Sequence, residues 1–171
     1  MLFRSVRNSG VASVAAVVND LGPTAEFLTG TLGFTDLGSD GPRNWFGASP
    51  GVPGQRLEVI EDPSVPPAVL GTGSVHHVAW RVADAPAEAR VRSAVDGKAT
   101  GLTPVRDRSY FESIYFREPG GVLFEVATDV PGFLVDEDEA TLGTAFKLPA
   151  RFEPRRSEIE ASLPNLEEVR S

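Results

Sequence analysis

The chain reads as one unit written twice. Ser13-Val-Ala-Ala-Val-Val-Asn-Asp20 can be set against His77-Val-Ala-Trp-Arg-Val-Ala-Asp84. Both segments are rich in strand-favouring residues, and both end in Asp at the eighth position. Each then enters a pattern of helical period. Leu21, Ala25, Leu28 and Leu32 form one apolar stripe, and Ala87, Val91, Ala94 and Val95 form the other. Asp20 and Asp84 are the expected helix-start residues, with Pro23 and Pro86 tolerated in a first turn and Gly33 and Gly97 near the helix ends. The later strands repeat as well. Arg43-Asn-Trp-Phe-Gly47 matches Ser113-Ile-Tyr-Phe-Arg117, and Gln55-Arg-Leu-Glu-Val-Ile-Glu-Asp62 matches Val122-Leu-Phe-Glu-Val-Ala-Thr-Asp129, with Glu58 against Glu125.

Each copy therefore reads strand, helix, then three strands. The expected fold is α+β: an N-terminal extension 1–9, a βαβββ module 10–62, a Pro/Gly-rich linker 63–73, a second βαβββ module 74–129 and a tail 130–171. One module has too little core to stand alone, and pairing two would bury both sheet faces. In the tail, Asp136-Glu-Asp-Glu139 reads as a solvated acidic loop. Pro154 to Ser162 reads as a short helix with Ile159 and Leu163 on one side, marginal unless it docks.

Composition narrows the chemistry. A net charge of −8 argues against non-specific binding to nucleic acid or to an anionic membrane. The absence of cysteine removes disulfides, thiolate nucleophiles and Cys-ligated zinc, so a bound metal must use His, Asp, Glu, backbone or water. Arg4 and Arg7 before Gly10–Val18 loosely imitate a secretory signal, but the run recurs inside the repeat and is expected to be a buried strand. No run approaches the roughly 20 apolar residues of a membrane span, and a cytoplasmic protein is expected.

The chain has two histidines, His76 and His77, adjacent in an apolar run. If that run is strand throughout, only one of them faces a given site, and His76 points the other way as a packing or second-shell residue; a one-residue slip would exchange the two roles and make His76 a metal ligand. Glu125 lies among Val, Leu, Phe, Val and Ala, where an unpaired carboxylate is costly; a cation or a core ion pair would relieve it. Glu58, its repeat mate, is a structural carboxylate or a substitute ligand. Tyr115 lies ten residues before Glu125, across the turn Glu118-Pro-Gly-Gly121, so both side chains can reach one pocket. Arg106, Asp107, Arg108 and Tyr110 make a polar, aromatic loop, suited to ring recognition or to an ion-pair cluster. Trp80 and Trp45 read as core or interface residues.

Paired βαβββ modules, a strand-borne His before an Asp, and a Pro-x-Gly-x-x-x-Glu turn and strand resemble the vicinal oxygen chelate superfamily, the glyoxalase, bleomycin-resistance and extradiol-dioxygenase group. Within it, Gly71-Thr-Gly-Ser-Val-His-His-Val-Ala-Trp80, Pro104-Val-Arg-Asp-Arg-Ser-Tyr-Phe111, Ile114-Tyr-Phe-Arg-Glu-Pro-Gly-Gly121 and Lys147-Leu-Pro-Ala-Arg-Phe-Glu-Pro-Arg-Arg156 look like the C-terminal half of dioxygenases that cleave hydroquinone- or catechol-type rings. The resemblance implies the glyoxalase-like fold and a metal held by His77 and Glu125: Fe(II), alternatively Mn(II) or Zn(II). It implies that Tyr115 hydrogen-bonds a substrate hydroxyl and that a small aromatic substrate and O2 are the reactants, with Arg108 and Tyr110 of the polar loop as candidate substrate-binding residues. Glu118 stands where many relatives carry Asp.

The chain departs from the family in one respect. Those dioxygenases hold four modules, and one metal-binding histidine comes from a module without a counterpart here; the repeat register puts Ser13 opposite His77. A third ligand would then come from Glu58, from a second copy in a homodimer, or from a partner carrying the missing N-terminal modules. The alternative reading is a non-catalytic small-molecule-binding protein of the bleomycin-resistance type.

Overall fold

A computed structural model describes residues 12–49, 51–52, 54–66, 69 and 71–164. The expected extension 1–9 and the first two residues of the first module lie outside them. The chain divides into two compact units, meeting between Val130 and Pro131.

The first unit holds two βαβββ modules, in agreement with the repeat. In the first, β1 (Val14–Val18) is followed by α1 (Leu21–Glu26), which continues as a π-helical turn over Phe27–Thr31, and then by β2 (Thr35–Asp40), β3 (Arg43–Gly47) and β4 (Arg56–Glu61). In the second, β5 (Val78–Val82), α2 (Ala85–Val95), β6 (Arg106–Asp107), β7 (Phe111–Arg117) and β8 (Leu123–Pro131) follow the same order. Each module forms a four-stranded sheet, in the orders β1-β4-β3-β2 and β5-β8-β7-β6. The first and last strands of each module pair in parallel. Ala15 lies opposite Glu58, and Ala79 lies opposite Glu125. The repeat register read from the sequence is therefore also the hydrogen-bonding register.

Both Asp residues cap their helices. Asp20 accepts from the Gly22 amide and Asp84 from the Ala87 amide, each at 2.9 Å. A side-chain acceptor at this position satisfies an amide that the first helical turn leaves free.

Alternation along the strands sends Leu57, Val59, Phe124 and Val126 into one interior, together with Phe27 and Leu28 from the first module and Ile114 and Phe116 from the second. Aromatic edges cross between the modules. Phe27 and Phe116 lie 6.1 Å apart, and Phe34 meets Trp80 edge-on at 4.9 Å. Trp80 thus joins the core, whereas Trp45 is half-buried with the Arg56 guanidinium over its ring at 4.8 Å. The expectation that both faces of each sheet are buried does not hold. Ala15 and Val17, on the other face of the first sheet, are exposed, as are Ala79 and Arg81 on the other face of the second.

Two buried carboxylates shape this unit. Glu118, 2% exposed, begins the β7–β8 turn. It accepts from the Thr24 hydroxyl, the Gly120 amide and the Val122 amide, each at 2.8 Å. A side chain of the second module thereby grips the helix of the first. Glu88, 1% exposed, faces inward from α2, and its Oε1 has no hydrogen-bond partner. Burial, with the charge of Glu112 adding to it, pushes its carboxyl above the ordinary 4.5.

The second unit, described by itself, holds helical turns at Phe133–Val135, Glu139–Thr141 and Ala150–Arg155, then α3 (Arg156–Ser162). Arg156 organises it, pairing with Glu153 at 2.6 Å and Glu160 at 3.1 Å and donating to the Phe146 carbonyl at 3.0 Å. Ile159 is half-buried but Leu163 is exposed, so the expected apolar pair does not pack as one stripe. Among the described residues no helix is long and apolar enough to cross a membrane.

Two measurements test this packing. A Cβ at Gly120 would meet Thr24 Oγ1 and Val18 Cγ1 at 2.6 Å, so Gly120→Ala is expected to lower the unfolding free energy by about 1–3 kcal/mol in urea titrations. Because its pKa is raised in the folded protein, Glu88 binds its proton more tightly folded than unfolded, so its contribution to wild-type stability is full below pH 4.5 and falls as pH rises above it. Glu88→Gln is expected to raise Tm relative to wild type at pH 7, with the difference fading as pH drops below 4.5; a pH-independent difference would exclude the effect.

Candidate metal centre

The site lies on the face of the second sheet turned away from the core. Phe124 and Val126 take the core side of β8, which leaves Glu125 on the other. The Glu118 amide bonds the Val122 carbonyl at 3.1 Å across the β7–β8 turn. Three residues further along each strand, this register sets Tyr115 opposite Glu125. The parallel β5–β8 pairing brings Ala79 beside Glu125, and His77 lies two residues earlier, just ahead of the start of β5 at Val78.

The side chains meet as the positions require. His77 Nε2 lies 2.8 Å from Glu125 Oε2, and the Tyr115 hydroxyl donates to Glu125 Oε1 at 2.5 Å. The Arg108 guanidinium donates to the Tyr115 oxygen at 3.3 Å and sits 5.5 Å from the ring centroid. The His77 and Tyr115 rings stand edge to face at 5.7 Å. The Glu125 side chain is 6% exposed and that of His77 is 32% exposed, so the carboxylate is sunk in the sheet with the imidazole at its mouth.

The neighbouring backbone holds the wall in place. Tyr115 is buttressed by Thr103, whose hydroxyl accepts from the Tyr115 amide at 3.1 Å and whose amide donates to the Tyr115 carbonyl at 2.9 Å. Arg108 lies in a tight turn between β6 and β7. There Ser109 adopts φ 72°, a left-handed conformation uncommon outside glycine, and its amide is held by Asp107 Oδ1 at 2.7 Å. Tyr110 is half-buried in the same turn.

The expected orientation of His76 is overturned. The regular strand begins at Val78, after both histidines, so strand alternation does not govern them. Instead of facing away, His76 places its Nδ1 2.7 Å from Nδ1 of His77, with the rings edge to face. Glu58 is elsewhere. It lies on β4 of the first sheet and forms an ion pair with Arg43, the residue type that would neutralise a half-buried carboxylate without a metal. Ser13 is exposed ahead of β1.

The donor set bears on what the site can hold. An imidazole nitrogen and a carboxylate oxygen aimed at each other, with a phenol alongside, suit a first-row divalent ion. Among the described residues no group of three or more His, Asp or Glu side chains could hold a metal, so His77 and Glu125 fit as two ligands of such an ion and need a further donor.

Comparison with known proteins fits this geometry. Residues 10–126 match the Glyoxalase/Bleomycin resistance protein/Dioxygenase superfamily. The chain belongs to that superfamily. It is 39% identical over 140 residues to MhqO of Bacillus subtilis, which carries a ring-cleaving dioxygenase name; the match covers 82% of this chain and 44% of MhqO. It is 33% identical over 159 residues to the chlorohydroquinone/hydroquinone 1,2-dioxygenase of Sphingobium indicum, covering 91% of this chain and 49% of that protein. Among solved structures, a Bacillus subtilis protein described as a dioxygenase superposes with a TM-score of 0.79 at 36% identity, over 88% of this chain and 48% of that one. The fosfomycin resistance protein FosX of Mesorhizobium loti shares the fold at a TM-score of 0.53 and 20% identity, over 72% of this chain and 94% of that one. The chain thus spans about half the length of the curated relatives it matches.

Tyr115→Phe removes the donor to Glu125 Oε1 and leaves that oxygen without its phenol. A loss of about 1–2 kcal/mol in unfolding free energy at neutral pH is expected, since a hydrogen bond to a carboxylate is at stake. A variant as stable as wild type would show that Tyr115 does not hold Glu125 in solution.

Proposed function

We propose that this chain provides half of a metal-dependent ring-cleaving dioxygenase of extradiol type, acting on a hydroquinone- or catechol-like aromatic. The observation that carries the reading is the meeting of His77, Glu125 and Tyr115 on one open sheet face. Three relatives of Bacillus subtilis and one of Sphingobium indicum, all matched over most of this chain, bear ring-cleaving or hydroquinone dioxygenase names.

His77 Nε2 and Glu125 Oε2 would hold the ion, with Fe(II) as the preferred metal and Mn(II) or Zn(II) as alternatives. When bound, the metal supplies positive charge for substrate oxygens and an open position for dioxygen. The protein groups do the positioning. Tyr115 is tied to Glu125 on one side and to Arg108 on the other, so its hydroxyl is aimed before substrate arrives. That hydroxyl is placed to hydrogen-bond a ring hydroxyl and to pass a proton to or from it. Arg108 and Tyr110 form the wall against which the ring would lie.

The third protein donor comes from a partner that covers the exposed side of His77: a second copy of this chain, or a chain carrying two further modules. Relatives twice as long and a site with two protein donors both favour this arrangement. Non-catalytic ligand binding is the competing reading, and it is favoured by the lack of a third donor among the described residues.

Oxygen uptake separates the two. Protein loaded with Fe(II) without air, alone and mixed with a separately expressed N-terminal half from a longer relative, is expected to consume O2 in proportion to added hydroquinone. His77→Ala and Glu125→Ala should each lower the rate at least about 100-fold, and metal content should fall with them. Thermal stabilisation by hydroquinone that is indifferent to iron, with no oxygen uptake in either mixture, would instead establish the binding protein.

A further inference from the structure

We propose that His76 is a positioning residue that sets which nitrogen of His77 is free to bind a metal. This rests on the reading that His77 and Glu125 hold the ion. The two Nδ1 atoms lie 2.7 Å apart. At that distance one proton, and only one, sits between them, because two N–H groups would collide and two lone pairs would repel. The other nitrogen of His77, Nε2, faces Glu125 Oε2 at 2.8 Å; without a metal that contact is a hydrogen bond in which Nε2 holds the proton, and a metal bound there must displace it. A neutral imidazole carries a single ring proton, so His77 can offer a lone pair at Nε2 only when that proton is on Nδ1. The shared proton then belongs to His77, and His76 Nδ1 must accept it. The proton of His76 is consequently on its own Nε2, which the exposed position of that side chain leaves to water.

Metal-binding histidines usually hand their second N–H to a carboxylate, a carbonyl or water, an arrangement that fixes ring orientation and strengthens the ligand. Here an adjacent imidazole takes that part. It can do so because both residues precede the start of β5 at Val78, where backbone pleating would have sent them to opposite faces. With His76 on its Nδ1 edge and Tyr115 edge to face at 5.7 Å, the His77 ring is restrained from two directions.

The experiment exploits the composition, since these two are the chain's only histidines. In 15N-histidine-labelled protein loaded with Zn(II), used as a diamagnetic probe, long-range 1H–15N spectra should show His77 protonated at Nδ1 and His76 at Nε2. By competition titration, His76→Ala and His76→Phe are expected to weaken Zn(II) binding by about 10–100-fold. His76→Asn, whose Oδ1 can accept in place of Nδ1, should recover most of that loss, and the Tm of the metal-free variants should stay near that of wild type. A proton on His76 Nδ1 in the loaded protein, or Zn(II) binding unchanged in His76→Phe while His77→Ala abolishes it, overturns the role of His76 and leaves the metal reading standing. Wild-type protein that binds no Zn(II), or His77→Ala and Glu125→Ala variants that bind it as wild type does, removes the metal reading and this proposal together.

Discussion

Neither sheet can stand without the other. Each four-stranded sheet has one apolar face, and the two faces share a single interior built from Leu57, Val59, Phe124, Val126 and the aromatic residues of both modules. A lone sheet of this size would leave its apolar face wet, which offers too little burial to offset the entropy of ordering the chain. The sharing has a geometric consequence. Once one face of β8 is committed to the core, Glu125 must occupy the other, because strand side chains alternate. The hairpin register then delivers Tyr115, and the β5–β8 pairing brings the residues just ahead of β5, His77 among them, to the same place. The candidate site is therefore the necessary reverse side of the core.

The parts of this that were legible in the sequence share one property: they follow from position along a regular element. The repeat predicted that Ser13 and His77 are equivalent, and the pairings of Ala15 with Glu58 and of Ala79 with Glu125 hold that register. Asp20 and Asp84 cap their helices because a short acceptor just before a helix has one obvious use. What was hidden depends on where the chain leaves regularity. The two histidines meet because the strand starts one residue after them, and element boundaries are the least readable feature of a sequence. Glu118 looked like a variant of a turn residue, and its grip on Thr24 joins positions 94 residues apart. Glu88 did leave a signal. It falls three residues before Val91 and seven before Val95, on the stripe that faces inward, so its burial follows from helical period alone.

Glu58 and Glu125 show how one scaffold position takes two fates. They hold the same register in the same strand of their modules. Glu58 is matched by Arg43, a cation the chain itself carries from the adjacent strand. Among the described residues no arginine pairs with Glu125; it faces an imidazole and a phenol, partners that can orient a carboxylate without permanently neutralising it. A buried carboxylate left in that condition is poised for a cation from outside. The first module sets its carboxylate against a guanidinium, and the second sets its own against an imidazole and a phenol.

That asymmetry makes the exposed half of His77 informative. A catalytic metal site needs open positions for substrate, but it also needs enough protein ligands to keep the ion, and two are few for iron. The relatives that match this chain are about twice its length. The open faces expose Ala15 and Val17 on one sheet and Ala79 and Arg81 on the other, with Arg81 held by Asp129 at 2.8 Å. A partner seated there would add its donor from above while Glu125 stays fixed from below by Tyr115. Metal retention and burial of the face would then rise together, and the chemistry would belong to the assembled pair of halves.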